Sequence, residues 1–323
     1  MRYTRREIGK LALTALPVAS LVTRPLDVLA QAPRPNSLVN GVQLATITYS
    51  YRSMPDQSAE AYLRYILDSG ISHIELMGGV AESFAGAPAA ARGGGGGRRG
   101  GQPPTPEQLA AQREAADRLK AWRTSVSMDR FKALRKMYND AGVTIYAWKQ
   151  LDPAMSDEEF EYVFNVAEAL GNTHTTLELP EDGAQLKRIG AFAEKRKIYA
   201  AYHSHLQGSI TAFDQAFAVS KGNMSNVDLG HYVAAGGDPI AFLNKFHSRI
   251  SSFHLKDRQL PQHGTGNLPW GTGDTPIKEI LQLVKKNRWT MPATIELEYN
   301  IPQGSDAVKE VVKCLDYCKA ALA

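Results

Sequence analysis

Carboxylates and imidazoles recur where five successive β-type runs end in the second half of the chain. The carboxylates and imidazoles concerned are Glu178, His203, His205, Asp228, His231, His254, Glu296 and Glu298, and Lys256 lies among them. Charged groups beside a folded core must be solvated, paired or bound to a metal ion. One such ending is compatible with a capped helix or a surface turn, whereas five in succession indicate a shared polar site.

A mixture of carboxylates and imidazoles suits a divalent cation such as Mn, Mg, Co or Zn. No cysteine lies at these strand ends, which argues against a structural zinc site. A divalent ion can polarise a substrate carbonyl, so that the neighbouring C–H bond becomes acidic. A carboxylate on each side of that carbon could then remove the proton from one face and deliver it to the other.

Eight β-type runs alternate with helical patterns from Gln43 onward, which predicts an α/β fold with a parallel sheet and crossover helices. Eight repeats are typical of a single closed (β/α)8 TIM barrel, and no run is followed by the G-x-G-x-x-G motif of dinucleotide-binding folds. The predicted strands are Gln43–Thr48, His73–Leu76, Thr144–Trp148, His174–Leu179, Tyr199–His203, Ser225–Leu229, Ile250–His254 and Ala293–Leu297. The predicted helices are Ala59–Ser69, Pro106–Asn139, Asp157–Leu170, Gly183–Lys195, Ile210–Ser220, Pro239–Phe246, Pro276–Lys286 and Ser305–Ala320.

The C-terminal ends of barrel strands form one mouth, so the polar strand ends are expected to meet there. Glu75 on the second strand and Trp148 at the end of the third are candidate substrate contacts. The alternatives are that Glu75 pairs with a neighbouring side chain and that Trp148 packs in the core. Of His203 and His205, one is expected to face the pocket. Lys256 is either a general acid or a solvated loop lysine.

The sequence divides into a short N-terminal segment and one long domain. Residues 1–32 resemble a twin-arginine export signal, with paired Arg5 and Arg6 and an apolar stretch too short to span a bilayer. The alternative is an amphipathic cytosolic helix that begins with two arginines. Residues 33–323 are assigned to the barrel, with a Gly/Arg-rich insertion at about 85–104 that is either a surface insertion or a mobile lid. We therefore expect a periplasmic or otherwise exported protein.

Charge excludes one class of partner. The formal net charge is +4, but removing residues 1–32 leaves 32 basic and 31 acidic side chains. A near-neutral barrel offers no basic face for nucleic acid. The expected partner is a small molecule, with no nucleic acid and no membrane contact once the signal is removed. Association into a homo-oligomer stays open.

The strand-end pattern resembles the xylose-isomerase-like TIM barrels of the sugar phosphate isomerase/epimerase group, over roughly residues 40–320. This group includes ketose 3-epimerases, inosose dehydratases and hydroxypyruvate isomerases. The resemblance implies a metal site, with Mn favoured. The implied ligands are Glu178, Asp228, His254 and Glu296. Glu298 stays an alternative to Glu296, because both point the same way by strand parity.

The resemblance also implies roles for other residues. His231, three residues after Asp228, matches the substrate-binding histidine of an Asp-x-x-His motif. His203, Lys256, Glu75 and Trp148 are the further candidate substrate contacts. The sequence Phe-His-Leu-Lys-Asp at 253–257 is similar to the strand-seven signature of the dehydratase-like members.

The function that the resemblance implies is a metal-dependent isomerase or epimerase that moves a proton next to a sugar carbonyl. Glu178 and Glu296 would be both ligands and the acid–base pair. The alternative is a lyase that dehydrates a keto-sugar or keto-glycoside, with Lys256 or His203 assisting the leaving oxygen. Ala184 and Leu260 stand where the epimerases have a substrate-binding glutamate and arginine, so the metal site carries over better than the specificity.

Overall fold

Eight parallel β-strands close into one barrel in the computed structural model, which describes residues 34–88, 105–205 and 207–323. Each strand pairs with the next along the chain, and the eighth pairs with the first. The strands are β1 Val42–Ile47, β2 His73–Met77, β3 Thr144–Lys149, β4 His174–Glu178, β5 Tyr199–His203, β6 Asn223–Asp228, β7 Ile250–Leu255 and β8 Ala293–Ile295. The prediction of a single (β/α)8 barrel is confirmed.

Helices follow the strands and form the outer layer. They are α1 Ala59–Asp68, α2 Gly78–Ala85, α3 Pro106–Arg123, α4 Asp129–Asp140, α5 Asp157–Leu170, α6 Gly183–Arg196, α7 Asp214–Val219, α8 Leu229–Ala234, α9 Pro239–Phe246, α10 Ile277–Asn287 and α11 Ala307–Leu322. Typical sequence signals set their ends. Ser156 and Glu159 form a capping box at the start of α5, and Gly171 ends that helix in the left-handed conformation.

The interior of the barrel is polar. The hydroxyl of Tyr146 lies 2.6 Å from that of Thr294, and Nε2 of His174 lies 3.0 Å from the hydroxyl of Ser252. Nδ2 of Asn226 donates to the same Ser252 hydroxyl at 2.6 Å. Buried polar groups that are paired in this way restrict one another's orientation. This network therefore forms a fixed layer inside the barrel, and His174 belongs to it as a structural histidine.

The helix predicted over Pro106–Asn139 is in fact two helices, α3 and α4. The interruption lies at Thr124 and Ser125, whose hydroxyls donate to carbonyl oxygens of the preceding turn. Hydroxyl side chains that bond to the nearby backbone compete with helix continuation. The helix predicted over Ile210–Ser220 is likewise shorter and forms only at α7.

Helix α2 follows β2 directly and was not predicted. It begins with two glycines and has no side-chain cap, so local propensity gives little sign of it. A buried ion-pair cluster joins its Glu82 to Arg123 at the end of α3, at 2.8 Å, and Arg123 in turn contacts Glu159 of α5 at 2.9 Å. Tertiary contacts of this kind therefore position α2 and α3 on the barrel.

Two predictions fall mainly on residues that the structure does not describe. The export signal at 1–32 lies wholly outside the described residues, and so does most of the Gly/Arg-rich insertion, residues 89–104. Helix α2 ends at Gly86, before that segment. Among the described residues, no helix is both long and apolar enough to cross a bilayer.

Candidate active site

Four buried side chains at the C-terminal end of the barrel bring their donor atoms together. They are His203 at the end of β5, Asp228 at the end of β6, His254 on β7 and Glu296, which directly follows β8. Their ligand atoms, one nitrogen or oxygen from each residue, all lie within 4.8 Å of one another. The barrel thus assembles these four strand ends at one point, and we call the four side chains the donor group.

Asp228 also caps the N-terminus of α8. Its Oδ1 accepts a hydrogen bond of 2.8 Å from the backbone N–H of His231. Its Oδ2 is buried and makes no hydrogen bond, although Nζ of Lys256 lies 2.9 Å away. A buried carboxylate oxygen is costly unless a cation neutralises it. Oδ2 is therefore an available ligand atom, 3.9 Å from Nδ1 of His254.

The ring of His254 is fixed between two carboxylates. Nδ1 lies 2.6 Å from Oε2 of Glu296, and Nε2 lies 2.8 Å from Oε2 of Glu75. Burial by itself would lower the pKa of His254, but Glu75 and Glu296 raise it to about 10. The ring therefore carries both protons in this state. To bind a cation through Nδ1, His254 must lose one proton, and Glu75 then holds the other on Nε2.

Glu75 lies inside the barrel, which corrects its expected role as a substrate contact. Its side chain is fully buried. Oε1 accepts a hydrogen bond of 2.6 Å from the hydroxyl of Thr176, and Oε2 accepts one of 3.3 Å from Asn226 in addition to the contact with His254. All sides of the carboxylate are occupied, so the alternative stated from the sequence, that Glu75 pairs with neighbours, is the one observed.

The residues present fit a divalent cation. Two carboxylates and two imidazoles from four strands offer oxygen and nitrogen ligands without cysteine, as expected for such an ion. Five carboxylates and three cationic side chains lie in and around the mouth. Once His254 has lost its extra proton to bind a cation, and with the other imidazoles counted as neutral, their charges sum to −2, which one divalent ion offsets. The side chains counted are Glu75, Glu178, Asp228, Glu296, Glu298, Lys149, Lys256 and Arg258.

Glu178, expected as the fourth ligand, lies outside the donor group, on the strand next to His203. Its half-exposed carboxylate contacts Nζ of Lys149 at 2.7 Å and Nδ1 of His205 at 2.9 Å. Burial would raise the pKa of Glu178, but the hydrogen bond from His205 and the charge of Lys149 lower it to about 2. The same contact raises the pKa of His205. Glu178 is therefore an ionised, ion-paired carboxylate beside the donor group.

Lys149 is a site residue that the sequence reasoning missed, and Trp148 is one that it wrongly included. The pairing of β2 with β3 shifts register between Ile74 and Glu75, which leaves Tyr146 as an extra residue in β3. A shift of one residue exchanges the two faces of a strand. Lys149 therefore turns towards the mouth.

Trp148 turns the other way, into the layer between barrel and helices. It is fully buried there, with its ring 6.4 Å from that of Phe131 and 6.2 Å from that of Tyr162. This position corrects the expectation that Trp148 stacks on a sugar ring. If the side chains of β3 alternated regularly, Lys149 would face the helices and Trp148 the mouth. The sequence pattern gives no sign of the extra residue that exchanges these two faces.

Lys256 is buried among carboxylates and is not a solvated loop lysine. Its Nζ lies 3.1 Å from Oε2 of Glu296 and 2.7 Å from Oε2 of Glu298, in addition to its contact with Asp228. Glu298 therefore pairs with Lys256 and lies outside the donor group, whereas Glu296 lies inside it. The geometry favours Glu296 of the two as a ligand.

His231 lies against two cations at the outer side of the same cluster. Its Nε2 is 3.0 Å from Nζ of Lys256, and its Nδ1 contacts the guanidinium of Arg258. Burial and the charge of Lys256 lower the pKa of His231 to about 2, so the ring is neutral. A neutral imidazole accepts a hydrogen bond at only one nitrogen. At most one of these two contacts is therefore a hydrogen bond accepted by the neutral ring.

Asp257 anchors the loop after β7 that carries Arg258. Its buried Oδ2 accepts hydrogen bonds of 2.8, 3.1 and 2.9 Å from the backbone N–H groups of residues 271–273. Its Oδ1 accepts another, of 3.2 Å, from Thr275. Four backbone donors on one carboxylate fix the loop beside the mouth. The sequence placed Asp257 in a motif but did not indicate this role.

Comparisons with known proteins agree with this architecture. An inosose dehydratase of Clostridium tetani is 24% identical over 160 residues, which are 42% of this chain and 53% of that protein. The chain thus matches about half the length of that curated relative. The structure of an L-ribulose 3-epimerase superposes with a TM-score of 0.56 at 12% identity, covering 87% of this chain and 94% of the other. The IOLI protein with a zinc atom gives 0.58 at 13%, covering 87% and 98%.

A family comparison covers more of the chain. Residues 109–318, more than half of the sequence, match the family described as the xylose isomerase-like TIM barrel. This range includes β3 to β8 and all four members of the donor group. The resemblance drawn from the strand ends is confirmed, and the chain belongs to the xylose isomerase-like TIM barrel family.

Proposed function

We propose that this protein is a metal-dependent enzyme that moves a proton next to a carbonyl group of a sugar or sugar-like polyol. The observation that carries the proposal is the donor group, flanked on the next strand by the ionised Glu178. A cation site beside an ionised carboxylate is the arrangement that proton abstraction next to a carbonyl requires. Relatives that are named as a dehydratase and a 3-epimerase support an enzyme of this kind.

The chain's own residues would hold the cation. Asp228, His254 and Glu296 supply three ligands, and His203 or Glu178 supplies the fourth; Glu178 would have to exchange its ion pairs to do so. When bound, the ion would supply the positive charge that polarises the carbonyl and stabilises the enediolate. The zinc atom of the IOLI structure supports a divalent ion. Among Mn, Mg, Co and Zn, we propose Mn.

Glu178 would remove the proton. Its low pKa keeps it ionised but makes it a weak base, because His205 and Lys149 both stabilise its charge. A substrate hydroxyl that displaces either contact would raise the basicity of the carboxylate towards the level that proton transfer needs. Glu296, on the opposite side of the barrel mouth, would return the proton. Two carboxylates in these positions give isomerisation or epimerisation.

Dehydration is the second candidate, on a keto-sugar or keto-glycoside. The specific observation in its favour is Lys256, a buried ammonium next to the donor group that could assist a leaving oxygen. The curated relative named as an inosose dehydratase supports dehydration as well as the 3-epimerase supports epimerisation. His231 would contact substrate hydroxyls in either reaction, and so would His203 where Glu178 supplies the fourth ligand. The two candidates share every step up to the enediolate and differ only in whether the substrate carries a leaving group.

The test is proton exchange in deuterated water. The metal-loaded protein is incubated with keto-sugars, and products are analysed by NMR and mass spectrometry. Deuterium next to the carbonyl without loss of water would identify an isomerase or epimerase, and loss of water would identify a lyase. We expect Glu178→Gln and Glu296→Gln to slow exchange by about 10²- to 10⁴-fold, the usual contribution of an acid–base group.

Two variants distinguish the loss of a metal ligand from a general loss of structure. His254→Ala should abolish stoichiometric metal content, whereas Glu82→Gln, in the ion pair with Arg123 and outside the donor group, should leave both metal content and exchange unchanged. Unchanged metal in His254→Ala would remove His254 from the ligand set. Absence of exchange with every keto-sugar, despite bound metal, would refute the proton-transfer function.

We also propose that the protein works outside the cytoplasm on a free small-molecule sugar, without nucleic acid or membrane, as a monomer or a homo-oligomer. The paired Arg5 and Arg6 and the near-neutral charge after residue 32 support this proposal. Mass spectrometry of the protein recovered from the periplasm should find the chain cleaved near residue 32. Retention of the full chain in the cytoplasm of an Arg5→Lys, Arg6→Lys double variant, but not of wild type, is the expected control.

A further inference from the structure

The cluster around the donor group contains its own cation. The Nζ atom of Lys256 lies 2.9 Å from Asp228 and 3.1 Å from Glu296, the two carboxylates that the donor group contributes. The side chain is only 2% exposed, so water screens these contacts weakly. A divalent ion bound by the same two carboxylates would meet an ammonium already held there.

The backbone nearby leaves room for the lysine stem. A Cβ atom at Gly230, in the first turn of helix α8, would lie 2.3 Å from Cγ of Lys256 and 2.6 Å from its carbonyl oxygen. Only a glycine therefore permits the stem to lie against α8 at this depth. The position of the ammonium is thus supported by packing as well as by charge.

The same ammonium has a third carboxylate partner, Glu298, which lies outside the donor group. Oε2 of Glu298 is 2.7 Å from Nζ and belongs to a carboxylate outside the donor group that is more exposed, at 19%. Nε2 of His231 lies 3.0 Å from Nζ on the same side. A small rotation of the stem could move Nζ from Asp228 and Glu296 towards Glu298 without leaving the charge unpaired.

We propose that Lys256 is a tethered competitor of the metal, which neutralises Asp228 and Glu296 in the metal-free protein and gives up these two contacts, while keeping the one with Glu298, when the ion binds. The inference rests on the proposed function in so far as that function requires a metal at the donor group. Its consequence is that the donor group binds metal more weakly than its ligands alone would. Glu298 then determines how easily the ammonium is displaced.

The experiment measures metal affinity directly, without reference to turnover. Full-length protein is stripped with a chelator, and Mn²⁺ and Zn²⁺ binding is followed by competition with a fluorescent chelator. We expect Lys256→Met to bind at least about tenfold more tightly than wild type, because a buried like charge no longer opposes the ion. Glu298→Gln should bind more weakly than wild type, because the displaced ammonium loses the carboxylate that would keep it paired. Lys132→Met, which removes an exposed lysine of α4 that pairs with Asp129, is the matched control and should not change the affinity.

Thermal unfolding provides a second readout that does not depend on the chelator. Metal-free Lys256→Met should melt below metal-free wild type, since Asp228 and Glu296 lose their counter-charge. Added metal should raise its Tm by more than it raises the Tm of wild type. Equal or weaker metal binding by folded Lys256→Met would overturn the inference while leaving the metal site intact. Failure of wild type to bind any divalent ion would overturn both the inference and the metal-dependent function.

Discussion

The contact between Glu75 and His254 gives the sharpest prediction. Glu75 is fully buried and accepts short hydrogen bonds from Thr176, at 2.6 Å, and from Nε2 of His254, at 2.8 Å. Carboxylates that orient a ligating histidine typically contribute about 10- to 100-fold to metal affinity. We therefore expect Glu75→Gln to weaken metal binding by about that factor, although Glu75 is not itself a ligand.

The same contacts determine how much stability the protein loses when Glu75 is replaced. In Glu75→Gln, either the Thr176 hydroxyl or Nε2 of His254 loses its carboxylate acceptor. One unsatisfied buried group should lower the free energy of unfolding by about 1–3 kcal/mol. Glu75→Ala leaves both unpaired and should cost about 3–5 kcal/mol, the range for removing one partner of a buried ion pair. Urea unfolding of the metal-free proteins measures these differences, and chelator competition measures the affinities.

Glu82→Gln is the matched control, because Glu82 is also a buried carboxylate in an ion pair, with Arg123 at 2.8 Å. It should lose stability in the same range as Glu75→Gln and keep wild-type metal affinity. If Glu75→Gln binds metal within about twofold of wild type while His254→Ala does not bind it, the orienting role is refuted.

Three further predictions concern pH, a loop and the two faces of β3. The pKa of His254 is raised from 6.5 to about 10, so between these pH values the metal-free folded state holds a proton that the unfolded state has lost. The free energy of unfolding, measured in urea titrations, should therefore fall as the pH rises from about 6.5 to about 10. Over the same interval, metal affinity should rise about tenfold per pH unit as one proton is released, which calorimetry in buffers of different ionisation enthalpy would detect. Asp257→Ala frees four backbone donors and should increase proteolysis within residues 259–275 and raise KM more than it lowers kcat; an unchanged cleavage pattern would contradict the anchoring role. Trp148→Ala should lower the free energy of unfolding by about 3–5 kcal/mol without changing sugar affinity. Lys149→Met should instead change catalysis with little loss of stability. The reverse pattern would show that the two faces of β3 are assigned wrongly.

The barrel was predictable because its signals are local. Each strand and most helices follow from short periodic runs between turn residues, and these periods do not depend on distant contacts. The eight strands therefore appear within a few residues of their predicted bounds. The break between α3 and α4 and the existence of α2 were not predictable in this way, because side-chain bonding to the backbone and the contacts of Glu82 with Arg123 outweigh helix propensity there.

The sequence by itself determined that Asp228, His254 and Glu296 lie at strand ends, and the topology of a parallel barrel brings strand ends together. What only the tertiary structure decided is how each side chain is used. Glu75 orients His254 across 179 positions of sequence, and one extra residue in β3 turns Lys149 into the mouth and Trp148 out of it. Such outcomes depend on strand register and on pairing between distant strands, and neither is encoded in the local pattern of residues.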